Sequence, residues 1–342
     1  MAAILTELER ESGRLAGEPL ETVYYGGGTP SLLETETIAS FQQSIRRHFE
    51  LQPGAEITLE ANPDDIDGAQ LAGWREAGIN RLSIGVQSFR EEDLRWMNRA
   101  HSAAEALTAI EKARGAGFTD FNIDLIYGSP GLDDAAWEKN LETALSLGVN
   151  HISAYALTVE PRTALAHQVS AGEKEPTDPE QQARQFLLLS DWLEAAGWEH
   201  YEISNFALPG HRSRHNSAYW EGKPYLGLGP GAHSFDGRTR RWNVSNNALY
   251  ARGIREGLPV QESETLTPEN QFNEYVMTAI RRSEGINLEQ VENRFGEKVM
   301  QELDAGAARF LAEGSLLRRQ HHLALSREGK LFADGIAAAL FR

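Results

Sequence analysis

Short β-rich stretches alternate with longer helical ones as far as Asn205, and this alternation restricts the possible folds more than any other feature of the chain. The strand candidates are Thr22–Tyr25, Glu56–Glu60, Arg81–Gln87, Asn122–Tyr127, His151–Leu157 and Tyr201–Asn205. The helical stretches between them include Glu36–Phe49, Gly68–Ala77, Ser102–Ala116, Ala135–Leu147 and Pro179–Ala196. Gly78, Gly117 and Gly148 each stand where a helix ends before a strand begins, the place where glycine takes a left-handed cap without steric penalty. Strand–helix units of roughly 25–50 residues predict an α/β fold with a parallel sheet, closed or open. Ligands of such a fold gather at the C-terminal ends of the strands.

Beyond Pro209 the texture changes. Residues 209–265 are rich in Gly, Asn, Arg and aromatic side chains with weak periodicity, which predicts a lid or binding segment. From residue 266 the chain is helical again over Glu269–Arg282, Asn287–Phe295 and Val299–Glu313, with a hairpin around Leu316–Leu325 and a last helix to Phe341. The expected organisation is thus a βα barrel over 1–208, the lid over 209–265 and a winged-helix-like domain over 266–342. The chain has a net charge of −17, and only Arg318 and Arg319 cluster in the last domain, so packing on the barrel is expected of it rather than DNA binding.

No run of about eighteen apolar residues is present to cross a membrane. Ile4 and Leu5 are followed by Glu7, Glu9 and Glu11, a pattern foreign to a signal peptide, so a cytoplasmic location is expected. The chain has no cysteine, which removes disulfides, thiolate nucleophiles and Cys-ligated metal centres.

The strongest local signal is Tyr24-Tyr25-Gly26-Gly27-Gly28-Thr29-Pro30. Three consecutive glycines strip a strand end of side chains, so the backbone itself can touch a ligand. Thr29 is expected to cap the following turn and Pro30 to open it. Further strand ends carry polar groups: Glu60 in Leu59-Glu60-Ala61-Asn62-Pro63, Gln87 after Ser83-Ile84-Gly85-Val86, and Asp124 inside the apolar run Phe121–Tyr127, with Arg99 nearby in the chain. A carboxylate in an apolar strand is costly unless paired or ligand-bound. Each alone reads as a satisfied core group or cap. Together they describe a pocket for an ammonium, hydroxyls and a carboxylate, the set that S-adenosylmethionine presents.

The segments GGGTPSLL, EITLEANPD, RLSIGVQSF, NIDLIYGSP and ISAYALTVEP resemble, in order and spacing, the successive strands of the radical SAM family that contains oxygen-independent coproporphyrinogen III oxidase and the heme chaperone HemW. The resemblance runs from Tyr24 to the C-terminus. It implies a partial TIM-like radical SAM barrel and assigns Gly27, Gly28, Thr29, Glu60, Gln87, Arg99, Asp124 and Thr158 to S-adenosylmethionine. The stretches YEISNFA, RHNSAYW and GLGPGAHS are similar to the HemW branch, which implies heme as a ligand and a heme-requiring acceptor protein as a partner. His215 and His233 are then candidate axial ligands of heme iron, with Tyr219, Trp220 and Tyr225 stacking on the porphyrin. His215 and Asn216 bonding within a loop is the competing reading. Arg212, Arg214, Arg240 and Arg241 suit propionates or plain solvent.

The family also implies a first strand bearing CxxxCxxC, whose thiolates hold a [4Fe–4S] cluster. Such a strand is expected ahead of Met1, and its ligands are absent from this sequence. A start site set too far downstream accounts for intact pocket residues; a truncated product and a loss of radical chemistry are the alternatives. No catalytic residue is assigned. Without that strand, Val23–Tyr25 is expected at a sheet edge that residues 1–20 or a second copy must cover, with homodimerisation or poor solubility as the consequence. The functions left are a heme chaperone, a truncated coproporphyrinogen III oxidase and an inactive remnant of either.

Overall fold

A computed structural model describes residues 1–15 and 17–342. The chain runs through α1 (Ala2–Glu11), β1 (Leu20–Tyr25), α2 (Thr35–His48), β2 (Leu51–Ala61), α3 (Gly68–Ala77) and β3 (Arg81–Gln87). It continues through α4 (Glu91–Trp96), α5 (Ala103–Gly115), β4 (Phe121–Tyr127), α6 (Asp134–Ser146), β5 (His151–Ala156), α7 (Ala164–Ser170) and α8 (Pro179–Ala195). Local chemistry explains the helix ends. Asp67, Asp133 and Ser102 accept from backbone amides at the starts of α3, α6 and α5, and Glu105 completes a capping box with Ser102. Gly78 at φ +97° closes α3 in the left-handed conformation that its position predicted.

Strands β1 to β5 pair in sequence order and all in parallel. Their alternation decides what faces where. Ile57, Leu59, Leu82, Ile84, Ile123, Leu125 and Ile152 join Trp74, Ile110, Trp137 and Leu189 of the helices in the main core. With a side-chain period of two, Glu56, Thr58, Glu60, Ser83, Asn122, Asp124, His151 and Ser153 line the opposite, inner face. The inner face of the curled half-barrel is therefore polar.

The single strand expected over Tyr201–Asn205 is instead a hairpin of β6 (Glu199–Glu202) and β7 (Asn205–Ala207), added antiparallel beside β5. Its turn is closed by a side chain. Glu202 Oε2 accepts from the Ser204 amide at 2.9 Å and from Asn205 Nδ2 at 2.6 Å.

The expected lid has structure of its own: α9 (Arg214–Trp220), β8 (His233–Phe235), β9 (Thr239–Asn243), α10 (Asn247–Glu256) and β10 (Gln261–Thr265). The three strands form an antiparallel sheet in the order β10-β9-β8. Helix α1 seals it. Buried Glu7 accepts from the Gly229 amide at 2.8 Å, Asn243 Nδ2 at 2.7 Å and the Tyr250 hydroxyl at 2.5 Å. Cover of the β1 edge thus differs from expectation. Residues of the α9 region lie along it, with Arg214 Nη2 donating to the Glu21 carbonyl at 2.8 Å and Lys223 paired with Glu21 at 3.0 Å.

The last module comprises α11 (Pro268–Ile280), β11 (Ile286–Asn287), α12 (Leu288–Phe295), α13 (Glu297–Ala312), β12 (Leu316–Arg319), β13 (His322–Leu325) and α14 (Ala333–Ala339) around a separate apolar cluster. It docks on the barrel through Arg281 on Glu202 at 2.9 Å, Arg327 on Asp191 and Lys330 on His200 Nδ1 at 2.8 Å. Arg318 pairs with Asp304 of its own module. No helix among the described residues is long and apolar enough to cross a membrane.

Candidate functional site

The polar strand-end residues meet at one end of the sheet. After β1 the backbone turns through Gly26, where an added Cβ would lie 2.5 Å from the Tyr24 ring and 2.9 Å from Glu60 Oε1, so a side chain here would displace the pair. Glu60 holds the loop from the other side: Oε2 accepts the Gly27 amide at 3.2 Å, and Oε1 accepts the Tyr24 hydroxyl at 2.7 Å. Burial and the Glu60 charge push the Tyr24 hydroxyl up from its ordinary value, so it stays a donor. Gly27 and Gly28 follow at φ +76° and +68° with open space where side chains would stand. Thr29 does not cap the next turn with its side chain; its carbonyl accepts from the Leu32 amide at 3.2 Å, and Pro30 opens that turn as expected.

At the end of β3 the register with β4 slips between Ile84 and Gln87, and Gln87 takes φ +68°. Such a bulge re-aims a side chain at the cost of strain. The result is a meeting point above Gly85, where an added Cβ would be 2.9 Å from Gln87 Nε2, 3.6 Å from Arg99 Nη2 and 3.7 Å from Asn62 Oδ1. Arg99 Nη2 donates to Asn62 Oδ1 at 3.0 Å. Its Nε is buried without a partner among the described residues, a donor aimed at something the chain does not supply.

Asp124 completes the set from β4. Asn122 Nδ2 donates to it at 2.8 Å. Burial, helped by the Glu60 charge, pushes its carboxyl up to about 7, and Asn122, Ser153 and Arg99 only partly oppose this. Asp124 thus lies within electrostatic reach of both Glu60 and Arg99. Thr158 stands exposed just past the end of β5 and donates to the Ala156 carbonyl at 3.3 Å. The sequence reading missed Tyr24 and Asn62, both visible in principle as neighbours of the motif residues in YYGGG and EANPD.

The heme candidates form a second group. Ser213 caps α9, and Glu56 accepts the amides of Arg214 and His215, each at 2.9 Å. The His215 ring stacks flat on Tyr24 at 4.5 Å, and its Nδ1 meets Thr22 Oγ1 at 2.9 Å. One turn on, Tyr219 is 50% exposed and faces Tyr225 at 5.3 Å, which in turn faces Phe235 of β8. His233, two residues before Phe235, is exposed and stacked on Trp242 at 6.1 Å. Arg240 is opposite Phe235 in the ladder, so His233, Phe235, Arg240 and Trp242 share one face of the small sheet. Trp220 turns away, with Arg281 over its ring at 5.2 Å. Arg212 is taken by Glu199 and Glu284, Arg214 by the Gly54 and Glu21 carbonyls, Arg240 by Glu274 at 2.9 Å and Glu264 at 3.6 Å, and Arg241 by Asp236.

An iron–sulfur cluster does not fit these residues. The sequence holds no cysteine, and no group of three His, Asp or Glu among the described residues is placed to hold a metal ion. An adenosyl group with an amino-acid tail does fit: the orphaned Arg99 donor, the bare Gly27–Gly28 backbone and two carboxylates answer its carboxylate, its approach and its ammonium and hydroxyls.

Comparison with known proteins places this architecture. Residues 3–144 match the radical SAM superfamily, and residues 266–332 match the HemN C-terminal domain. The heme chaperone HemW of Mycobacterium tuberculosis is 39% identical over 341 residues, covering 99% of this chain and 85% of that protein. HemW of Bacillus subtilis is 36% identical with 94% and 86% covered, and HemW of Escherichia coli 31% identical with 97% and 87% covered. Among solved structures, coproporphyrinogen III oxidase (HemN) from Escherichia coli, a radical SAM enzyme, superposes with a TM-score of 0.85 at 23% identity, over 99% of this chain and 82% of that one, a likeness of fold. The chain belongs to the HemW family of the radical SAM superfamily.

Proposed function

We propose that this chain binds heme on the aromatic face shared by α9 and the small sheet and passes it to a heme-requiring acceptor protein, while the strand-end pocket holds S-adenosylmethionine. The observation that carries the reading is the run of rings Tyr219, Tyr225, Phe235, His233 and Trp242, of which Tyr219 and His233 are exposed and the others half-buried. Flat aromatic rings suit a porphyrin plane and a free imidazole suits its iron. Of the two imidazoles, His233 is the uncommitted one; His215 already serves Thr22 and Tyr24. Membership of the HemW family, whose curated relatives are named heme chaperones, supports the same reading. No radical step is assigned, because the cluster's ligands are not among these residues.

Titration of the protein with hemin is expected to give a saturable, red-shifted Soret band that His233→Ala weakens by about tenfold or more in affinity. A His233→Ala titration identical to wild type removes His233 as the ligand, and a flat titration of the wild type removes the heme reading. For the pocket, S-adenosylhomocysteine serves as a stable probe in calorimetry. Arg99→Ala is expected to cost about 10- to 100-fold in its affinity, the effect of one charge-assisted contact to a carboxylate. Equal affinities in the two proteins count against the assignment of Arg99.

A further inference from the structure

Helix α9 is attached to both carboxylates of the strand-end pocket. On one side the His215 ring lies at 15° to Tyr24, and the Tyr24 hydroxyl orients Glu60, which holds the Gly27 amide. On the other side a buried chain leads from Asp124 to the start of α9. Asn122 donates to Asp124, His151 Nδ1 donates to Asn122 Oδ1 at 2.6 Å, and the Tyr201 hydroxyl donates to His151 Nε2 at 2.7 Å. The Tyr201 oxygen in turn accepts the amide of Ser213, the α9 cap, at 3.4 Å. His151 is completely buried, and burial holds it well below its ordinary value, so it is neutral. Asn122 Oδ1 only accepts, which fixes the proton on Nδ1 and leaves Nε2 to accept. From Asn122 to Ser213 every member of this chain is buried, so it transmits the position of α9 rather than absorbing it in rearranged water.

We infer that Tyr24 and His215 are positioning residues that link the two sites: heme seated against Tyr219 steadies α9, His215 then holds Tyr24, and Glu60 is pre-set for an adenosyl ligand. This rests on the proposed occupants of both sites. Heme therefore tightens adenosyl binding, and an adenosyl ligand tightens heme binding by the same factor, since linkage is reciprocal. The glycine loop responds because its single tether to Glu60 depends on the rotamer that Tyr24 enforces.

The test is calorimetry of S-adenosylhomocysteine binding to the full chain, free and loaded with hemin. The wild type is expected to bind the probe about 5- to 20-fold more tightly when hemin is present. Tyr24→Phe keeps the stacked ring but loses the hydroxyl, and is expected to erase that ratio while its Soret titration matches wild type. His215→Ala is expected to erase it too, and His215→Phe, which restores a flat ring on Tyr24, to recover most of it. A wild-type ratio of one with both ligands bound overturns the linkage alone. A ratio that survives Tyr24→Phe overturns the route. If His215→Phe abolishes the Soret shift, His215 is an iron ligand and its positioning role is overturned. Absence of probe binding in the wild type overturns the pocket assignment and the linkage with it.

Discussion

Arg281→Ala lowers the unfolding free energy by about 3–5 kcal/mol, the cost of stranding a buried charge. The charge is that of Glu202, whose side chain is 0% exposed. One of its oxygens closes the β6–β7 turn, and among the described residues the other meets only Arg281 Nε, at 2.9 Å. Removing the guanidinium leaves a carboxylate in an apolar setting with two neutral donors. The pairing of Arg281 with Asp334, 91% exposed, adds nothing measurable. The double variant Glu202→Gln, Arg281→Ala is expected to recover more than half of the loss, since no charge is then stranded. Guanidinium denaturation of the three proteins checks this. A loss under 1 kcal/mol for Arg281→Ala, or no recovery in the double variant, contradicts it.

Asp124→Asn is expected to stabilise the ligand-free protein at alkaline pH and to do nothing for it in acid. The native carboxyl is pushed up to about 7 from an ordinary value near 3.8, mainly by burial. Between those two values the folded protein holds a proton that the unfolded chain has released, so stability falls as pH rises through the interval and levels off above it. An amide carries no such dependence. The difference between variant and wild type therefore grows from zero near pH 4 to about 1–3 kcal/mol at pH 8, the full linkage being reduced because the carboxyl keeps some solvent contact. Denaturation curves measured across that interval check it, and parallel pH profiles for the two proteins contradict it. The same variant is expected to lose adenosyl affinity, stability traded for a charge kept where a ligand needs it.

How much of this was legible beforehand differs element by element. β3 and α3 have the bounds their sequence pattern predicted, Arg81–Gln87 and Gly68–Ala77, because an apolar run before a polar end and an Asp-to-Gly frame are both local signals. The β6–β7 hairpin was not legible. Its turn has no Gly or Pro, and it is closed by the Glu202 side chain, a contact between a buried carboxylate and two later residues that no periodicity records. The sheet of β8, β9 and β10 was read as irregular because its strands are only 3–5 residues long and its pattern, as in Thr239-Arg240-Arg241-Trp242-Asn243, lacks clean alternation.

By itself the sequence determined the order of the strands and helices from β1 to β5, and that polar side chains such as Glu60, Gln87 and Asp124 stand on or at the ends of otherwise apolar strands, since both follow from local spacing. Only the tertiary structure decided which of these side chains meet. It brought Arg99 over Gly85 and laid α9 against β1 so that His215 rests on Tyr24 instead of standing free. The reason is physical: a contact across nearly two hundred residues of chain depends on how the sheet curls and where α9 returns to it. Neither quantity is written in the spacing of neighbours.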